Sequence, residues 1–149
     1  MRRVLLAIGN PLRRDDGVGL GVGERLQGTG WTVIAAGQAV ENALGLIERL
    51  APDLLVVVDA AEMGLPPGSA RRLPLTEGER MLSSTHALPL PFLLSRLTGK
   101  VGELILVGIQ PADRALGEGL TPPVQTSVER VVSMLRENRP TAISPLEPG

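Results

Sequence analysis

The run DLLVVVDAA, residues 53–61, constrains this chain more than any other stretch. Leu54 to Val58 is wholly apolar, and a strand without a polar face has to be buried on both sides. Such a strand is central and parallel, which requires helices above and below the sheet. It ends in Asp59, so a charged group falls at the carboxyl end of the most buried strand.

The remaining segments alternate in the way that strand demands. RRVLLAIG, residues 2–9, reads as a second strand buried on both faces and closed by Gly-Asn-Pro. GVGLGVGERLQ, from Gly17, reads as a glycine-rich helix, and WTVIAAG, residues 31–37, as a strand. NALGLIERLAPD sets Leu44, Ile47 and Leu50 on one helical face and stops before Pro52. SARRLPL suits an edge strand, where proline is tolerated. LPLPFLLSRLTG gives a helix burying Phe92, Leu93 and Leu97, with Gly99 as its cap, and VGELILVGIQPA gives the last strand. LTPPVQTSVERVVSMLREN gives a final helix with Thr121 as N-cap and Pro122 at its first position. The tail RPTAISPLEPG holds too little apolar material to pack. The expected molecule is one α/β domain over residues 1–137 with a flexible tail over 138–149. Its architecture is a three-layer α/β/α sandwich around a mostly parallel twisted sheet.

Composition then removes whole classes of chemistry. The chain has no cysteine, which excludes disulfides, thiolate nucleophiles and zinc–thiolate sites together. Any nucleophile or metal site must use oxygen and imidazole. Net charge is -1 and the basic residues are scattered, so neither nucleic acid nor an anionic membrane is the expected partner. Trp31 and Phe92 are the only aromatics, too few for a base-stacking platform. No apolar stretch reaches the ~20 residues of a membrane span, and the start MRRVLLAIGNP turns polar too soon for a signal peptide. A cytoplasmic location is expected.

In sheets of this type ligands bind beyond the carboxyl ends of the strands. Asp15 and Asp16 follow the first strand and Asp59 ends the third, so topology alone brings these acids to one edge. The only histidine, His86 in SSTHALPLP, lies in a loop before a helix and can reach the same edge. Two carboxylates and one imidazole make a three-ligand set for a divalent ion with positions left open. Each residue also has a plain structural role open to it: a carboxylate at a helix start, an aspartate holding a turn, a solvated loop histidine. The serines beside His86 suit capping better than a catalytic triad. The glycines of GVGLGVG lie beyond the acid pair, which would repel a phosphate, so dinucleotide binding has little support.

Four stretches, LLAIGNPLRRDDGVG, VVVDAAEMGLPPG, STHALPLPFLL and GELILVGIQP, in this order and spacing, resemble the maturation endopeptidases of nickel–iron hydrogenases. The similarity extends from residue 4 to about 136 and is strongest to the hydrogenase 3 type, associated with formate hydrogenlyase. The resemblance implies an aspartyl-type endopeptidase that removes a C-terminal extension from the hydrogenase large-subunit precursor. It implies that Asp16, Asp59 and His86 are the metal-contacting and catalytic positions. It also implies that the nickel arrives with the precursor, so that the free enzyme needs no tightly bound metal. A monomer is expected. Gly9, Asn10 and Asp15 match as well and are assigned to shaping the loop.

Two other classes compete. A phosphoacceptor receiver domain also carries acids after its first strand and an aspartate ending its third, but needs a lysine after its last strand, where this chain has GIQPA; its one lysine, Lys100, precedes that strand. A general metal-dependent peptidase or amidohydrolase usually uses more ligands than one histidine and two acids supply.

Overall fold

The computed structural model describes residues 1–82 and 89–147. Its sheet has five strands: β1 (Arg3–Ile8), β2 (Thr32–Gly37), β3 (Leu54–Ala60), β4 (Ala70–Leu73) and β5 (Glu103–Ile109). They lie in the order β2-β1-β3-β5-β4. The first four in that order pair in parallel, and β4 closes the edge antiparallel to β5. Every residue of β3 is buried, as its unbroken apolar run requires.

Helices α1 (Val18–Leu26) and α4 (Pro122–Arg136) cover one face, and α2 (Val40–Leu50) and α3 (Leu90–Ser95) the other. Period-2 alternation divides β3 between the layers, with Val56 and Val58 packing toward α1 and α4 and Leu55 and Val57 toward α2 and α3. The result is the three-layer α/β/α sandwich.

Gly19 fixes how closely α1 approaches the sheet. A Cβ there would lie 2.1 Å from the Ile8 carbonyl oxygen and 2.3 Å from that of Val58, so only glycine lets the helix rest on the ends of β1 and β3. Gly19, and Gly23 against Ala7 and Val33, thus serve helix–sheet packing.

Three local expectations give way to tertiary packing. Phe92 is 54% exposed, while Leu90, Leu93, Leu94 and Leu97 are buried, so the inward stripe of α3 passes the aromatic by. Thr121 occupies the N-cap position of α4 but makes no capping bond; its hydroxyl is used elsewhere. The tail does not lack the apolar content to pack: Ile143 is 2% exposed in the core beneath α4. Chain 143–146 adds on beside β4, where the Arg72 N–H donates to Ser144 O (2.8 Å) and the Leu146 N–H to Arg72 O (2.8 Å).

Candidate active site

Asp16 stands in a 3-10 turn, Arg14–Gly17, that follows β1 and lies against β3. Gly9 makes room for this turn, since a Cβ there would meet Asp16 O at 2.7 Å; the Asn10 N–H donates to that same oxygen at 2.9 Å. Asp59 is the penultimate residue of β3, opposite Gly108 of β5. Both acids reach the carboxyl edge of the sheet, and both are buried, Asp16 at 2% and Asp59 at 0% exposure. In the alternation of β3, Asp59 falls with Val57 on the α2/α3 side.

The crowding of Asp15 and Asp16 is resolved by giving each acid its own donors. Asp15, 0% exposed, accepts the backbone N–H groups of Ala112 (2.9 Å), Asp113 (3.0 Å) and Thr121 (2.8 Å) and the Thr121 hydroxyl (2.8 Å). It therefore staples the loop after β5 to the loop after β1. Backbone bonds extend the same joint: Asp15 N–H to Asp113 O, Arg14 N–H to Gly117 O and Gly117 N–H to Leu12 O. Asp16 instead receives the guanidinium of Arg114, with Nε to Oδ1 at 2.6 Å and Nη2 to Oδ2 at 3.2 Å.

Arg114, Gln110 and Glu62 complete the site and were not singled out in the sequence. The carboxylate of Asp16 holds the Arg114 guanidinium above its ordinary pKa, with Asp59 and Glu62 adding to the effect. Glu62 is held below the usual carboxylate range, first by the Gly64 N–H (3.0 Å) and then by the Gln110 side-chain amide (3.0 Å). Gln110 turns its other end to the chain after β3, its Oε1 accepting the Met63 N–H at 2.8 Å. Met63 is buried at 7%, so the apolar start of MGLPPG folds into the core and does not form an exposed patch. The only sequence signal for these residues is position: GIQPADR continues directly from β5, as EMG does from β3.

His86 lies outside the described residues. Among those described, no three His, Cys, Asp or Glu side chains come together in a group able to hold a metal ion. Leu82 donates its N–H to Ala60 O at 2.9 Å, so the chain leading to residue 83 departs from beside Asp59. Lys100 lies at the opposite end of the sheet, before β5, with Nζ 3.7 Å from Glu48 Oε2. A receiver domain's lysine is therefore missing from the acidic edge.

A family model described as hydrogenase maturation protease matches residues 22–138. The chain belongs to the hydrogenase maturation proteases. Within this family it is 37% identical over 139 residues to the hydrogenase 3 maturation protease of Escherichia coli (strain K12), covering 91% of this chain and 89% of that one. The solution structure of the endopeptidase HycI from Escherichia coli superposes with a TM-score of 0.87 at 35% identity, covering 99% of this chain and 97% of that one. The crystal structure of the maturation protease HycI from Thermococcus kodakarensis KOD1 gives a TM-score of 0.79 at 30% identity, with 93% and 92% covered. As a hydrogenase maturation protease the chain is a peptide hydrolase, and this replaces the receiver reading. Among the described residues no helix is long and apolar enough to cross a membrane.

Proposed function

We propose that this maturation protease removes the C-terminal extension from the large-subunit precursor of a nickel–iron hydrogenase after nickel insertion, reading the substrate-borne nickel through Asp16, Asp59 and His86. The observation that carries this reading is the burial of Asp16 and Asp59 at one carboxyl edge, although one stands in the turn after β1 and the other in β3. Two carboxylates held at one edge, in surroundings of reduced dielectric, suit a divalent ion brought between them. His86 is the third ligand in this reading. Asp59 faces the layer of α3, and the chain entering α3 carries His86 four positions after Leu82.

The chemistry is consistent with the residue set. A chain without cysteine can cleave a peptide when a metal polarises the carbonyl or activates water and a carboxylate moves the proton. Two carboxylates and one imidazole hold nickel only moderately, which suits an enzyme that must release its product with the metal still aboard. The proposed partner is therefore the precursor, with no nucleic acid or membrane involved, and the proposed setting is the cytoplasm with the protease as a monomer.

The test is incubation with nickel-loaded and nickel-free large-subunit precursor of the formate hydrogenlyase type, followed by intact mass spectrometry. Loss of the C-terminal extension from the loaded form alone is the expected result. Equal cleavage of both forms, or cleavage of neither, overturns the reading.

A further inference from the structure

Arg114 is a half-exposed residue on the loop after β5, yet its guanidinium reaches inward to a carboxylate that is 98% buried. It grips both oxygens, at 2.6 and 3.2 Å, in the fork geometry that makes such pairs stronger than single-point contacts. Its reach is set independently, because Asp15 fastens the backbone on both sides of it, through the N–H groups of Ala112 and Asp113 before and Thr121 after. Asp59 and Glu62 also act on its charge, so one cation serves the acidic edge as a whole.

We propose that Arg114 is a specificity-determining residue: an internal cation that occupies Asp16 in the free enzyme and must yield when the carboxylate engages a metal. This rests on the reading that Asp16 meets a substrate-borne nickel. A free divalent ion approaching Asp16 has to displace the guanidinium or share the carboxylate with it, and like charges at that distance repel. A nickel held in a docked precursor arrives with the binding energy of the whole protein contact, which can offset the displacement. Arg114 therefore biases the acidic edge against loose ions and toward metal presented by a protein. Because its outer half is in solvent, the guanidinium has somewhere to go when released.

The experiment is isothermal titration calorimetry of nickel(II) chloride into the free protein and three variants. Arg114→Gln removes the cation, and about tenfold tighter nickel binding is expected, the size of one charge-assisted contact no longer broken. Arg114→Lys keeps the charge without the fork and should fall between the two. The double variant Asp16→Asn, Arg114→Gln should lose the gain, showing that it acts through Asp16. Circular dichroism confirms that all four proteins are folded. Equal nickel affinity in the parent and Arg114→Gln overturns the proposal, and so does a gain that survives in the double variant. If the parent processes no precursor but the Asp16-dependent gain is present, the proposed function fails, while the part of the proposal that sets Arg114 against loose ions at Asp16 stands.

Discussion

Arg114 clasps Asp16 through both carboxylate oxygens although the two residues are 98 positions apart in the chain. The acid comes from the turn after the first strand and the base from the loop after the last, so the contact spans the three parallel strands β1, β3 and β5. Asp15 sets the distance between them by holding the second loop on both sides of Arg114.

Neutralising either site acid should remove processing while leaving the fold. Asp16→Asn and Asp59→Asn are each expected to slow precursor cleavage by at least about 100-fold, the lower end of what a positioned acid or base contributes. In Asp16→Asn the freed guanidinium is already 42% exposed and turns to water, so the stability cost stays near 1 kcal/mol. Cleavage timed by mass spectrometry beside a thermal melt separates the two effects.

Asp15 should behave in the opposite way. Asp15→Asn places an amide among four donors at 0% exposure, and at least one backbone N–H loses its acceptor while the charge that the others meet is gone. A loss of about 3 kcal/mol is expected, or roughly 10 °C in melting temperature. Amide exchange at Ala112, Asp113 and Thr121 should accelerate ahead of exchange in β3.

Two glycines in the same turn of α1 should respond with opposite sign. Gly19→Ala drives a methyl against the carbonyl oxygens of Ile8 and Val58, at 2.1 and 2.3 Å, and should cost about 3 kcal/mol as α1 lifts from the sheet. Gly21→Ala finds its nearest neighbour, the Leu120 side chain, at 3.4 Å and should stabilise by up to about 1 kcal/mol through helix propensity. Urea unfolding of the two variants checks both.

Glu62 supplies a pH test. The Gly64 N–H and the Gln110 amide favour its ionised form, so its pKa in the folded state lies below the ordinary glutamate value. The stability it contributes is present above the unfolded-state value and is lost as pH falls through the lowered folded-state value. Gln110→Ala should move the Glu62 titration upward toward normal, as followed by carboxyl carbon NMR chemical shifts.

The apolar runs of β1, β3 and β5 were legible in the sequence because a strand buried on both faces leaves no polar alternation to misread. The edge position of Asp16 and Asp59 followed from topology alone. Arg114 was not legible: it stands in the polar stretch QPADRALGEG, and what aims it inward is a set of hydrogen bonds accepted by Asp15, about 100 residues earlier. Ile143 was hidden by the prolines around it, and Phe92 by a helix of six residues, too short to show its buried stripe by periodicity.

The joint between the loops after β1 and β5 also bears on the making of the protein. A ribosome that has delivered residues 1–110 has supplied all five strands, together with Asp16 and Asp59. It has not supplied Arg114 or any of the donors that hold Asp15, the last of which comes from Thr121. A nascent chain at that stage has Asp16 and Asp59 without the loop that organises them, and α4, which closes the core over α1, is still unmade. The Arg114–Asp16 pair and the joint at Asp15 therefore close only after the whole sheet has been made, in about the last quarter of the chain.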